Sequence, residues 1–271
     1  MPELPEVEAY RRRALDSLGR RIAAVEVRDL RIVRGRAAPR LVVRALIGRH
    51  FVAARRHGKL LVLDLDAGQD PAGPGDAAAN RLGLRFGMTG HLAVDGHEAI
   101  GRLVYASARR ERAWDRFVVC FDDGGTLVLH DPRLLGGVEL DPDESRLGPD
   151  ALFLTAAQLR RALDSSAAPL KARLLDQARV AGIGNLIADE VLWRSGLAPN
   201  RRAGSLAPAE LRRLHRHLHV TLDELMERGG SHLGDLMPAR RLGGRCPRDG
   251  TELRRSTVGG RTTWWCPRHQ R

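Results

Sequence analysis

The sequence predicts an α+β protein of more than one domain. Apolar residues alternate with period two through about the first 140 residues, and recur every three or four positions after about residue 145. A last, turn-rich segment has paired Cys and His residues and is typical of a β-hairpin. We expect an N-terminal domain over 1–135, a hinge over 136–150, a helical domain over 151–236 and a hairpin over 237–271.

The N-terminal part begins with one short helix. Its apolar face consists of Val7, Tyr10, Ala14 and Leu18. Pro5 suits a first helical turn, and Gly19 suits the end. Strand-like runs follow at 21–29, 50–66, 81–94, 102–108, 115–124 and 126–131, with a Gly/Pro/Ala-rich loop over 67–80. Several short strands bounded by turn residues indicate a β-sandwich or a β-barrel.

Helical spacing dominates the second part of the chain, over 154–165, 170–178 and 209–230. In the last of these, a continuous apolar stripe is formed by Leu211, Leu214, Leu218, Leu222 and Leu225. A glycine turn, Gly182-Ile183-Gly184, opens a further helix at Asn185. Backbone amides at such a helix start can bind phosphate; the alternative is that the glycines only allow helices to pack closely.

Composition narrows the class of partner. The chain has 45 Lys and Arg against 33 Asp and Glu, a net charge of +12, which favours nucleic acid over a basic surface with no dedicated partner. Only Lys59 and Lys171 are lysines, so they are candidates for tasks that need a compact or deprotonatable cation. We expect no membrane span, no secretory signal and, with three cysteines, a reducing cytoplasmic setting.

The most specific pattern lies near the C-terminus. Cys246, Asp249, Cys266 and His269 follow the spacing C-x2-D-x16-C-x2-H. Two close pairs flanking a hairpin predict one structural Zn²⁺ ion, with Asp249 as an unusual and weaker ligand. The alternative is a metal-free hairpin held by Trp264 and Trp265. Four basic residues of this segment are expected to face phosphates: Arg254, Arg255, Arg261 and Arg268.

The N-terminus offers a candidate nucleophile. Once Met1 is removed, Pro2 carries a free secondary amine, and an α-amino group titrates near pH 7.7–8.0, against about 10.4 for lysine. Such an amine is ready to form a Schiff base. The carboxylates of Glu3 and Glu6 stand nearby in the sequence and can move protons. The alternative is an ordinary helix start, where acidic residues complement the dipole.

Five motifs occur in one order along the chain: MPELPEVE, HGK at 57–59, DPR at 131–133, LLDQARVAGIGN at 174–185 and GGRTTWWCPRHQ near the end. Together they resemble the formamidopyrimidine-DNA glycosylase / endonuclease VIII family. The resemblance implies a catalytic β-sandwich domain with flanking helices, then a helix–two-turn–helix domain that ends in a zinc-finger hairpin. It also implies excision of an oxidised base and nicking of the abasic strand of damaged double-stranded DNA.

The resemblance also assigns roles to residues. Pro2 would attack C1′ of the damaged nucleotide, Glu3 would be the acid and base, and Glu6 would support them near the lesion. Phosphate contacts are implied for Lys59, beside the damaged nucleotide, and for Asn185 and Arg261; Lys171 matches a DNA-facing position. Residues that fill the gap left by the flipped base would be Met88, Arg133 and Leu135. For Met88 the alternative is a core methionine.

Three features depart from the family pattern: one gap-filling residue, one loop and the set of metal ligands. Leu135 stands where the purine-repair branch usually has Phe. Only 15 residues (231–245) separate the end of the helix predicted over 209–230 from the first finger cysteine. The loop that closes over 8-oxoguanine is therefore short or missing. Asp249 and His269 replace two cysteines. Oxidised pyrimidines, formamidopyrimidines or hydantoins are therefore at least as suitable as 8-oxoguanine.

We predict a monomeric DNA glycosylase and AP lyase that acts by β,δ-elimination through Pro2 and uses no nucleotide cofactor. If the host is bacterial, the enzyme would act at the nucleoid. Two alternatives remain open. One is a catalytically silent binder of damaged DNA on the same scaffold, and the other is a helix-turn-helix protein that binds RNA or the ribosome.

Overall fold

The computed structural model describes residues 2–67, 79–101 and 111–271. They form two compact units. The first contains Pro2 and the chain from Glu6 to Glu144; the second contains Glu3–Pro5 and the chain from Ser145 to Arg271. The strand predicted over 102–108, and most of the loop predicted over 67–80, lie outside the described residues.

Among its described residues, the first unit contains two α-helices and nine strands. The helices are α1 (Leu4–Ala14), which belongs to this unit from Glu6 onward, and α2 (Pro39–Leu46). The strands are β1 (Ile22–Val27), β2 (Phe51–His57), β3 (Leu60–Leu65), β4 (Arg81–Arg85), β5 (His91–Val94), β6 (His97–Glu98), β7 (Asp115–Phe121), β8 (Thr126–His130) and β9 (Gly137–Leu140).

These strands form two antiparallel sheets, ordered β1-β7-β8-β5-β6 and β2-β3-β4-β9. Alternate side chains of both sheets meet in one buried core, which includes Phe117 and Leu129 from the first and Leu63 and Leu84 from the second. The predicted β-sandwich is confirmed, and the barrel alternative is wrong because the strands belong to two sheets.

Three elements of this unit, α2, β6 and β9, are not in our prediction. Helix α2 is only eight residues long and buries Val42 and Leu46, so its apolar periodicity is too short to stand out. Strand β9 pairs with β4 through residues such as Val138, opposite Leu84, and it lies within the segment 136–150 that we predicted as a hinge.

The second unit is helical and ends in a hairpin. Its elements are α3 (Ala156–Leu163), α4 (Leu170–Leu175), α5 (Asn185–Ser195), α6 (Pro208–Arg228), β10 (Arg254–Val258) and β11 (Arg261–Trp265). Thr155 and Gln158 form a capping box that begins α3. Gly196 and Gly229 end α5 and α6 with positive φ angles, which glycine adopts without steric cost.

The predicted leucine stripe of α6 is the centre of this unit. Leu214, Leu218, Leu222 and Leu225 are buried in one cluster with α3, α4 and α5, and Leu211 packs against it partly buried. A separate small core holds the hairpin region: Trp193, Leu236, Cys246, Leu253, Trp264 and Cys266. Among the described helices, none has the length and apolarity needed to cross a membrane.

We predict that Leu218→Ala will lower the free energy of unfolding of the second unit by about 2–5 kcal/mol, because the truncation leaves a cavity in the core. Leu218 is 1% exposed, whereas Leu242 is 83% exposed. Leu242→Ala is therefore the matched control, with an expected change within about 0.5 kcal/mol. Urea unfolding followed by circular dichroism measures both. Equal stability of the two variants would contradict the assigned core.

Candidate functional site

Glu3 caps the start of helix α5. Its side chain is 1% exposed, and its two carboxylate oxygens accept hydrogen bonds from the backbone amides of Leu186, at 2.8 Å, and Ile187, at 3.1 Å. These amides have no partner inside the helix, and the helix dipole favours a negative charge there. The amides that we considered for phosphate binding are thus already occupied by a carboxylate.

The glycine turn exists because the segment around Glu3 lies against it. A Cβ atom on Gly184 would overlap the Glu3 carboxylate, and one on Gly182 would lie 2.7 Å from Leu4 Cδ1. Gly182 also has a φ of +110°, and its carbonyl accepts a hydrogen bond from the Leu4 amide. Close approach, and not helix packing alone, therefore requires both glycines.

Asn185 is the first residue of α5 and is partly exposed. Its Oδ1 atom is buried and has no hydrogen-bond partner among the residues that the structure describes. Arg261 begins β11 on the hairpin, where its side chain is exposed. Of these two predicted phosphate ligands, only Arg261 presents a solvent-exposed cation.

Pro2, Glu6 and Lys59 belong to the first unit. Pro2 is buried, and Glu6 is 1% exposed in the first turn of α1. Burial, assisted by the negative charge of Glu6, raises the pKa of Tyr10 well above its ordinary value. Lys59 lies in the turn between β2 and β3 and is partly exposed.

The three predicted gap-filling residues lie on two loops that Asp131 joins. Asp131 is fully buried. Its Oδ1 accepts hydrogen bonds from Thr89 Oγ1 at 2.8 Å and from the Arg133 amide at 3.2 Å, and its Oδ2 accepts one from the Gly136 amide at 2.7 Å. Asp131 lies in the DPR motif, but the sequence alone predicted no function for it.

Asp131 thereby holds Met88 beside Arg133, and Arg133 Nη1 lies 3.8 Å from the Met88 sulfur. Leu135 is 46% exposed, and Arg133 is exposed as well. Met88 is partly exposed and is absent from the buried core of this unit. The alternative that Met88 is a core residue is therefore wrong.

Lys171 is fully buried. Its ammonium lies 2.7 Å from Asp189 Oδ1 and donates hydrogen bonds to the Thr263 hydroxyl, at 2.8 Å, and the Thr262 carbonyl, at 3.1 Å. Burial lowers the pKa of Lys171 and raises that of Asp189, and their contact opposes both shifts. The prediction that Lys171 faces DNA is wrong, because this ammonium joins α4 and α5 to the hairpin strand β11.

The four predicted metal ligands converge. The donor atoms of Cys246, Asp249, Cys266 and His269 all lie within 4.8 Å of one another. Cys246 Sγ is 3.5 Å from His269 Nδ1, and Cys266 Sγ is 3.4 Å from Asp249 Oδ2. Tetrahedral zinc, with bonds of about 2.3 Å to sulfur and about 2.0–2.2 Å to nitrogen or oxygen, separates its ligands by roughly these distances. The residues fit such an ion.

The surroundings orient two of these ligands. His269 Nε2 lies 3.0 Å from the Trp193 carbonyl, so donation of its N–H there leaves Nδ1 free to bind a metal. The Thr251 amide donates to Asp249 Oδ1 at 2.9 Å. That hydrogen bond holds the pKa of Asp249 well below its usual range, which keeps the carboxylate ionised as a ligand requires.

Comparison with known proteins agrees with this arrangement. A family model described as the formamidopyrimidine-DNA glycosylase N-terminal domain matches residues 1–138, and one described as the H2TH domain of that enzyme matches residues 147–236. The prediction of a helix–two-turn–helix domain is thereby confirmed.

Individual relatives cover the whole chain. Formamidopyrimidine-DNA glycosylases of Solibacter usitatus and Geobacillus kaustophilus are 31% and 33% identical to it, over 100% of both chains in each case. Lactococcus lactis Fpg in complex with DNA containing FAPY-dG has a TM-score of 0.81 at 26% identity, covering 99% of this chain and 100% of the other. The complex of the same Fpg with DNA containing an oxidised pyrimidine has a TM-score of 0.80 at 27% identity and covers 100% of both. The chain belongs to the formamidopyrimidine-DNA glycosylase family.

Proposed function

We propose that the protein is a base-excision repair enzyme that removes oxidised bases from double-stranded DNA and nicks the resulting abasic strand. The first two residues of the mature chain, Pro2 and Glu3, carry this proposal. The Glu3 carboxylate is hydrogen-bonded to the backbone amides of α5, and Pro2 is covalently linked to Glu3. The relatives named as formamidopyrimidine-DNA glycosylases, and the Lactococcus lactis complexes with damaged DNA, support it.

In the proposed reaction, the Pro2 nitrogen bonds to C1′ of the damaged nucleotide while the bond from C1′ to the base breaks. The base leaves with a proton, the sugar ring opens, and an iminium joins Pro2 to C1′. Loss of a proton from C2′ expels the 3′ phosphate, and loss of a proton from C4′ then expels the 5′ phosphate. Glu3 supplies and removes the protons, and Glu6 supports it with a second buried carboxylate.

Basic residues would bind the DNA phosphates, and three side chains would be inserted into the base stack. The net charge of +12 favours the phosphate backbone. We assign phosphate contacts to Lys59, Arg261 and the side-chain amide of Asn185. Met88, Arg133 and Leu135, on the loops that Asp131 fixes, would enter the stack when the damaged nucleotide is flipped out.

The short segment 231–245 supports a proposal about the range of lesions that the enzyme excises. Its only helical elements are two short 3₁₀ helices, Ser231–Leu233 and Met237–Ala239, and Arg240 Nη2 pairs with Asp189 at 2.8 Å. With little chain available to close over a purine, we propose oxidised pyrimidines, formamidopyrimidines and hydantoins as substrates at least equal to 8-oxoguanine. Duplex oligonucleotides carrying each lesion, compared in single-turnover excision, test this.

The Cys246, Asp249, Cys266 and His269 group is proposed to bind one structural Zn²⁺ ion. The ion would hold both ends of the β10–β11 hairpin and so fix the position of Arg261. We further propose that the protein acts as a monomer on chromosomal DNA in the cytoplasm, and that it uses no nucleotide cofactor.

We predict that a Gly inserted before Pro2 will abolish covalent trapping on an abasic duplex by borohydride, because Pro2 nitrogen then becomes an amide that cannot form an iminium. Wild-type protein lacking Met1, verified by mass spectrometry, should be trapped. Both forms should bind the duplex equally. Absence of trapping in wild-type protein would instead identify a silent binder of damaged DNA.

We predict that Glu3→Gln will slow strand nicking by about 10²–10⁴-fold, the range typical of a lost general acid or base. The amide oxygen of Gln can still accept a hydrogen bond at the start of α5, so folding should persist. Glu210→Gln is the matched control, since the Glu210 carboxylate accepts the Ala207 amide at the start of α6. Similar nicking rates for the two variants would refute the role of Glu3.

We predict that Asp249→Ala will reduce the zinc retained after dialysis, because the tetrahedron loses one ligand. Asp249→Cys should restore or tighten binding, since thiolate is the softer donor. Glu252→Ala, at an exposed position near the same turn, serves as control. Atomic absorption measures zinc per chain, and a full equivalent in the Asp249→Ala protein would mean that Asp249 is not a ligand.

A further inference from the structure

Helix α6 carries two histidines whose rings converge on one backbone oxygen. His215 and His219 are four residues apart and therefore share a face of the helix. Their Nε2 atoms lie 3.2 Å from each other. The same two atoms lie 2.7 Å and 2.8 Å from the carbonyl oxygen of Leu154, just before the capping residue of α3. Two nitrogens and one oxygen thus form a small triangle.

The size of this triangle matches one face of a metal coordination octahedron. With metal–ligand bonds of about 2.1 Å, the typical length for imidazole nitrogen, ligands at right angles are about 3.0 Å apart. The three edges measured here are 2.7, 2.8 and 3.2 Å. Imidazole suits zinc, copper and nickel, and water can complete the coordination because both rings are only partly buried.

The Leu154 carbonyl oxygen has two lone pairs and can accept an N–H from each ring, but the two donor nitrogens then lie only 3.2 Å apart. If both rings donate, two N–H dipoles point side by side at the same oxygen. A cation among the three atoms removes this opposition, since each ring then offers its Nε2 lone pair and carries its proton on Nδ1.

We propose that His215, His219 and the Leu154 carbonyl bind one divalent first-row transition-metal ion, with Ni²⁺, Zn²⁺ and Cu²⁺ as the suitable class. This site shares no ligand with the Cys246, Asp249, Cys266 and His269 group. A bound ion would join α6 to the chain entering α3 and stabilise the second unit, because it binds the folded state only.

The test uses the full chain loaded with one equivalent of Zn²⁺ and then titrated with Ni²⁺ by calorimetry. Wild-type protein should bind one further equivalent and melt at a higher temperature. In His215→Gln and His219→Gln, nickel affinity should fall by at least about tenfold, the lower end of what even outer-sphere changes cost a metal site. The Gln amide can still donate to Leu154, which preserves packing.

His217→Gln is the matched control. It lies between the two ligands on α6 and is partly exposed, and it should keep the wild-type nickel affinity. If wild-type protein binds no second equivalent, or if His219→Gln binds Ni²⁺ as tightly as wild type, the site is refuted.

A further measurement uses wild-type protein only, so its result does not depend on whether the variants fold. In ¹H–¹⁵N spectra, paramagnetic Ni²⁺ should broaden signals of Leu154 and of the His215 and His219 rings first; broadening centred elsewhere overturns the proposal. Nicking of abasic DNA should be the same in the Gln variants as in wild type, so this result stands apart from the repair activity.

Discussion

The proposed active site depends on one constraint, the pair of hydrogen bonds that the Glu3 carboxylate accepts from backbone amides at the start of α5. A buried carboxylate is costly unless donors compensate it. Here the backbone amides of Leu186 and Ile187, at the positive end of a helix, provide the donors. Because neighbouring Cα atoms are only about 3.8 Å apart, fixing Glu3 also restricts where Pro2 can lie. The proposed nucleophile at the chain terminus must therefore lie within one residue of Glu3.

Asp131 is a second buried carboxylate, in the first unit, whose burial must be compensated by hydrogen-bond donors. It too is buried and is compensated by backbone amides, those of Arg133 and Gly136, together with the Thr89 hydroxyl. In both places a buried carboxylate orders an irregular segment whose neighbours are proposed to meet DNA. Loops built this way need no regular secondary structure to keep a defined shape.

The sequence predicted those features that depend on local periodicity or on a short, specific spacing. The two-residue alternation of β7 and β8, the leucine stripe of α6 and the four metal-ligand positions belong to this class. The partner of Glu3 could not be found in this way, because it lies 183 positions away. Helix α2 was missed since eight residues show too little periodicity. The two glycines of the turn are visible in the sequence. The structure explains why they are needed, since the segment around Glu3 lies against them.

Lys171 shows how a chemical inference can be right while the location implied by a family resemblance is wrong. We expected each of the two lysines to do what arginine cannot. Lys171 does so inside the second unit, where its three N–H groups face Asp189, the Thr262 carbonyl and the Thr263 hydroxyl. A guanidinium has five donors and a planar shape, so in the same slot it would leave buried donors unsatisfied, at a cost of about 1–3 kcal/mol each. A compact cation is therefore required by packing, and not by contact with DNA.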